Sequence, residues 1–325
     1  MIETAIGSII LVSLILYALL GGADFGGGIW DLLAFGPRAE RQRATIARAV
    51  APVWEANHVW LILVVVILFT AFPKAFAAMM IALHIPITLM LIGIVLRGSA
   101  FAFRKTPGDL RWSRLFGISS AITPFFQGMV LGALTTGEIR VVDGAVASGY
   151  FAGWPSPFAV ACGFFALTLF SFLAATYLTL DSRDDGEVQS DFRRRALWCE
   201  LILGMIALIV FATSERGAPR MYGGLTAWWA PWLLAATSLC ALAACTGLWV
   251  RRFALARLAA IGQVTLILTG WCVSQFPHLI TPDLTVYNTA APLVTLELLL
   301  AALALGALVL FPSLAYLFTV FKSSR

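Results

Sequence analysis

An all-α, polytopic membrane fold is what this chain predicts, and three observations predict it. Of its 325 residues 60% are hydrophobic and only 12% are charged, about half the charged share of an ordinary soluble domain. Mean hydropathy is +0.90. Apolar stretches long enough to cross a bilayer recur along the chain, separated by short polar connections. A soluble fold cannot absorb that pattern. A β-barrel is excluded too, because runs such as Leu61 to Phe69 are apolar at every position instead of alternating.

Apolar runs of about 20 residues, read against their charged punctuation, predict nine helices in one integral-membrane domain, 1–325. The first, 5–33, stays apolar past Gly21 and Gly22 to Trp30 and stops at a loop holding Arg38, Arg41, Arg43 and Arg48. The second, 45–70, leaves that loop and ends at Phe72-Pro73; the third, 76–98, returns past Lys74 to Arg97 and the basic stretch from Arg104 to Arg114. The fourth and fifth, 114–135 and 155–180, flank a connection whose single basic residue is Arg140. The sixth, 196–214, starts after Arg193, Arg194 and Arg195. The seventh, 226–249, opens with an aromatic belt of Trp228, Trp229 and Trp232 and closes at Arg251 and Arg252. The eighth, 254–276, reaches Phe276-Pro277, and the ninth, 291–320, stops before Lys322 and Arg325.

With this plan eighteen of the 22 Lys and Arg residues fall on one side and four, Lys74, Arg140, Arg216 and Arg220, on the other. The positive-inside rule then puts the N-terminus outside and the C-terminus in the cytoplasm, across a prokaryotic-type plasma membrane. Merging or splitting any span would scatter the basic loops over both faces. The net charge of +5 is therefore topological, and no nucleic-acid partner is expected. Met1-Ile2-Glu3-Thr4 lacks the basic region of a cleaved signal peptide. The five cysteines fall in apolar spans without a CxxC pair and read as buried small hydrophobes. Zinc spacing, a phosphate loop, GxSxG and a dinucleotide fingerprint are all missing from the sequence.

The informative positions are those the bilayer makes expensive, since an ionised side chain at helix centre costs at least ~2.5 kcal/mol. They are Asp24, Glu55, His58, His84, Arg97 and Glu297, with Gln127, Gln263 and Gln275 as neutral company. Asp24 lies about 13 Å short of the inner end of its span, Glu55 a comparable distance into the next, and Arg97 near the inner end of the third. Two carboxyls and a guanidinium at one depth predict a buried polar cluster. It reads either as a charge-pairing staple or as a proton or ion route opening to the cytoplasm. In the second case His58, at i+3 from Glu55, could share its proton, and Pro52 would free backbone carbonyls for water. Gly22 and Gly26, a small-xxx-small step, read first as close helix packing. Three scattered histidines, His58, His84 and His278, are a weak signal for haem ligation.

The run Gly22-Ala23-Asp24-Phe25-Gly26, followed after a basic loop by Ala51-Pro52-Val53-Trp54-Glu55-Ala56-Asn57-His58-Val59-Trp60, resembles subunit II of cytochrome bd-type quinol oxidases. That family carries a D-F/M-G element in its first helix and P-x-W-[DE]-x-N-x-V-W in its second, so that Pro52, Trp54, Asn57 and Trp60 fall on the motif. The resemblance is sharp over residues 15–105. It implies two four-helix bundles plus one peripheral helix, and a heterodimer that oxidises quinol and reduces dioxygen to water. It further implies that the haems, b with d or b alone, belong to a haem-bearing subunit I and that this chain binds none. A small accessory transmembrane subunit and a bound lipid or structural quinone are in keeping with it. In the family the acids at the positions of Asp24 and Glu55 serve a cytoplasmic proton route and support of the partner. The competing class is a secondary transporter coupling ions through Asp24 and Glu55, though transporter sites favour the midplane between repeated helices and no repeat is evident.

Overall fold

The computed structural model describes residues 1–51, 54–103 and 110–322. Pro52 of the motif lies outside the described residues, as do Arg104, Lys105 and Arg325 of the basic loops. Among the described residues nine helices are long and apolar enough to cross a membrane.

The chain opens with α1 (Ile2–Leu32) and then, in place of a direct entry into the second span, forms a separate amphipathic helix, α2 (Ala39–Val50). The second span is Trp54–Ala71, not 45–70, and consists of α3 (Trp54–Asn57) and α4 (Val59–Ala71). The reason is polarity. The sequence from Ala39 to Val50 buries Gln42, Thr45, Ile46 and Val50 on one face and leaves Arg41 and Arg48 exposed, while Arg43 donates to the Asp31 and Ala34 carbonyls at the end of α1, so the helix lies beside the bundle instead of inside the bilayer.

A second break follows at Phe72. α5 (Pro73–Ala82), started by a proline that needs no hydrogen-bond acceptor at that position, precedes α6 (His84–Phe103). The third span thus begins at His84 and runs to Phe103, a few residues further along than 76–98. α7 (Leu110–Ala133) comes next, then a hairpin of β1 (Val141–Val142) and β2 (Ala145–Val146) in the connection expected to be a plain linker. α8 (Pro157–Asp181) is capped by Ser156, whose hydroxyl accepts the Ala159 amide at 3.2 Å.

Asp185 caps α9 (Gly186–Gly217), which is longer than the predicted 196–214 because its first turns stand in water. α10 (Pro219–Leu225), α11 (Ala230–Trp249) and α12 (Phe253–Gln275) follow. A second small hairpin, β3 (His278–Ile280) with β4 (Leu284–Thr285), precedes α13 (Leu293–Lys322).

α1, α4, α6 and α7 pack together, as do α8, α9, α11 and α12, and the halves join where α1 and α7 lie along α8. α13 rests on α4 and α1 and is otherwise exposed. One apolar core, with Phe25, Trp60, Phe170, Phe172 and Phe192, fills the half toward the basic loops; another, with Ile6, Ile67, Phe72, Leu83, Ile139 and Ile280, lies under the hairpins.

Ion pairs tie down both faces. On the basic face Arg38 binds Asp191 through two bonds of 2.7 and 2.9 Å, and Arg41 binds Asp185 and Glu187, which holds α2 against the start of α9. On the opposite face Arg140 binds Asp283 at 2.9 and 3.2 Å, and the Val141 amide donates to the same carboxylate at 2.8 Å. The Arg140 guanidinium holds the Asp283 carboxyl below the usual carboxylate range. A carboxyl depressed on folding contributes stability above its unfolded pKa and loses it as pH falls through the folded value. Asp283→Asn is therefore expected to speed proteolysis of the 136–156 connection several-fold at neutral pH, a rate wild type reaches only below about pH 4.

Candidate functional site

Asp24 lies two turns from the end of α1 and is 4% exposed. Asn57, the last residue of α3, donates from Nδ2 to Asp24 Oδ2 at 2.6 Å and to the Leu20 carbonyl at 3.4 Å. The break between α3 and α4 is what aims this side chain at α1, for Asn57 is buried while Glu55, two residues earlier, is exposed. Arg97 of α6 is 1% exposed and within electrostatic range of Asp24 and Tyr17. Its guanidinium carbon sits 4.7 Å from the Phe25 ring centroid and 5.3 Å from that of Phe116, so two aromatic faces receive the charge that lipid would not. Arg97 Nε and Nη2 are buried without a hydrogen-bond partner among the described residues.

His58, half-buried at the α3–α4 junction, packs on the Phe25 ring at 5.6 Å and the Tyr17 ring at 6.1 Å. Tyr17 in turn accepts a hydrogen bond from Gln127 Nε2 of α7 at 2.6 Å. The structure thus brings Asp24, Asn57, Arg97 and the His58 ring around Phe25, and leaves Glu55 outside that cluster. The position of Glu55 has a simple origin: moving the start of the span from 45 to Trp54 moves Glu55 from mid-helix to its first turn.

Trp54 packs at a tilt against Phe101 at 5.4 Å, and Trp60, 4% exposed, meets Phe311 of α13 at 6.2 Å. Gly22 and Gly26 face α8: a Cβ at Gly22 would stand 2.7 Å from the Phe170 ring, and one at Gly26 would overlap the Phe170 carbonyl oxygen. His84 is exposed and packs on Tyr150 at 5.2 Å, while His278 lies in β3, so the three histidines occupy three separate environments. Glu297 is exposed.

A cavity of about 160 Å³ has in its lining Asp24, Asn57, Tyr177, Asp181, the last residue of α8, and Arg257, near the start of α12. Both of those helix ends lie at the basic face. The volume is enough for a few waters, which the polar groups of Asp24, Asn57, Tyr177, Asp181 and Arg257 in an otherwise apolar lining would hold. A second cleft, of about 390 Å³, reaches Asp31 between Arg43 and Arg114. Asp31 is fully buried and accepts the Ser113 hydroxyl at 2.6 Å. Asp31 was not among the expected positions, although its spacing from Asp24, i to i+7, already puts both on one face of α1. Glu200, inside the predicted span 196–214, is a further acid absent from the expected positions.

Residues 2–321 match the family model described as cytochrome bd terminal oxidase subunit II. A Bacillus subtilis (strain 168) protein, provisionally named a cytochrome bd menaquinol oxidase subunit II, is 25% identical over 340 residues, covering 99% of this chain and 98% of that protein. The Escherichia coli (strain K12) cytochrome bd-I ubiquinol oxidase subunit 2 is 29% identical over 219 residues; the match covers 65% of this chain and 55% of that longer protein. A chain from the structure of the bd oxidase of Geobacillus thermodenitrificans superposes with a TM-score of 0.83 at 24% identity, over 100% of this chain and 99% of that one, and shows the same fold. A family match of that length sets the transporter reading aside. The chain belongs to the cytochrome bd terminal oxidase subunit II family and is a subunit of a membrane-bound quinol oxidase complex.

Proposed function

We propose that this chain is the haem-free second subunit of the complex, that the basic face is cytoplasmic, and that Asp24 is where a proton from the cytoplasm leaves water for the protein interior. The observation that carries this reading is the cavity joining Asp24 to Asp181 and Arg257 at the helix ends. A carboxyl is placed there at the cost of burial, is held by Asn57 at 2.6 Å and lies in the field of Arg97. A simple staple would need the pairing but not the cavity.

The haems of the partner, subunit I, would take electrons from quinol and pass them to dioxygen; this chain's residues hold and move protons and support that partner's assembly. Asn57, on the inner side of α3, fixes the Asp24 carboxyl, and Glu55, on its outer side, stands at the surface where a partner subunit could receive the proton. His58 and Tyr17 line the inner side. The relatives' names point to a quinol as the reductant, and a small accessory subunit or a bound lipid or quinone would sit against the exposed apolar spans.

Asp24→Asn keeps the shape and the Asn57 contact while removing the titratable group. In the assembled complex it is expected to retain haem, read from reduced-minus-oxidised spectra, while quinol-oxidase turnover falls at least about tenfold. Glu55→Gln is expected to lower turnover in the same direction. Wild-type turnover in Asp24→Asn across neutral and alkaline pH would refute the route.

A further inference from the structure

Glu200 lies on α9, in the half of the molecule that does not contain Asp24, and is 6% exposed. The run around it, Leu197 to Leu203, is otherwise uncharged, and Cys199, Leu203, Ala244, Ala260 and Val264 belong to the apolar core there. Arg193, which donates to the Leu248 carbonyl at the end of α11 at 2.6 Å, marks the basic face; Glu200 is seven residues beyond it, about 10 Å deeper. At that depth an ionised carboxylate needs a partner. None of the ion pairs among the described residues includes Glu200. The titratable groups in range are Cys199 on its own helix and Cys245 on α11, while Arg195, also on α9, acts on Cys199. α12 presents Gln263 and, six residues earlier, Arg257, whose guanidinium sits over the Tyr177 ring of α8.

Gln263 Nε2 donates to Glu200 Oε1 at 2.7 Å. Two atoms of this pair are then left over, for Glu200 Oε2 and Gln263 Oε1 are both buried without a hydrogen-bond partner among the described residues. With Glu200 ionised, both are acceptors and neither can satisfy the other. One proton changes that.

We infer that Glu200 is a proton-holding site: a neutral carboxylic acid whose Oε2–H donates to Gln263 Oε1 while Gln263 donates to Oε1, closing a cyclic acid–amide pair between α9 and α12. Exchanging the amide oxygen and nitrogen of Gln263 moves the required proton to the other carboxyl oxygen and does not remove it. The site is independent of the Asp24 route, since Glu200 lines neither of the two cavities and is tested without reading turnover.

Infrared difference spectra of the assembled oxidase, wild type minus Glu200→Gln at neutral pH, decide the matter. The expected result is a protonated-carboxyl C=O stretch that shifts down in D2O and is missing from Glu200→Gln. Gln263→Leu, measured in the same way, should move that band to higher frequency as the acid loses its amide partner. Glu200→Gln can re-form both hydrogen bonds as an amide–amide pair, so its thermal midpoint should stay within a few degrees of wild type. A carboxylate stretch in place of the C=O band overturns the inference, as does a C=O band that Gln263→Leu leaves unmoved.

Discussion

Gly26→Val is expected to prevent recovery of a haem-loaded oxidase complex. A Cβ at Gly26 would overlap the Phe170 carbonyl oxygen and stand 2.6 Å from the Ala174 Cβ, both on α8. Because the first obstacle is backbone, no rotamer change relieves it, and α1 must move away from α8. That interface joins the two halves, so separation there also pulls Phe25 from Phe170, whose rings stack at 6.4 Å, and Trp30 from the Ser171 carbonyl it binds at 2.8 Å. Overpacking of this kind costs roughly 1–3 kcal/mol where side chains can adapt and more where backbone must yield. Membrane levels of the chain and the haem spectrum of the purified complex are the readouts. Gly204→Ala, at a helical glycine with nothing within 4 Å of the added carbon, is the control expected to behave as wild type. Equal yields from the two variants would show that close packing at Gly26 is not what the glycine is for.

How much of this was legible beforehand follows the physics of each signal. The spans were readable because oil admits few compositions, and the exclusion of charge from about 20 residues at a time is visible without tertiary knowledge. Asp24 and Arg97 were readable for the same reason, as costs that a fold must offset. What hydropathy could not show was where a helix stops being in the membrane. α2 continues the helical periodicity toward the second span, and only the packing of Ile46 and Val50 beneath a row of arginines shows it to be a separate surface helix. Glu55 moved to the surface as a consequence. The two hairpins were hidden because strands of two or three residues carry almost no pattern. Asp31 and Glu200 were not among the positions expected to be costly, yet both are buried, the first receiving Ser113 and the second Gln263.

Arg97→Met should be nearly as damaging as Gly26→Val, for an electrostatic reason. The guanidinium is enclosed by the Phe25 and Phe116 rings and lies in the field of Asp24. Methionine fills the space between the rings yet removes the cation in whose field the Asp24 carboxylate lies. Breaking a buried pair on one side typically costs about 3–5 kcal/mol, because a charge stays in oil uncompensated. Arg97→Lys keeps the charge but not the planar group that two ring faces accept, and is expected to fall between. The decisive variant is the double one, Asp24→Asn with Arg97→Met, in which no charge remains buried at this point. It should regain much of the thermal stability that Arg97→Met loses, with a coupling of about 0.5–3 kcal/mol, and it should still turn over as slowly as Asp24→Asn alone. Stability restored together with turnover would make the pair a staple and nothing more. Stability restored without turnover would separate the cost of holding a carboxyl in the membrane from what that carboxyl is there to do.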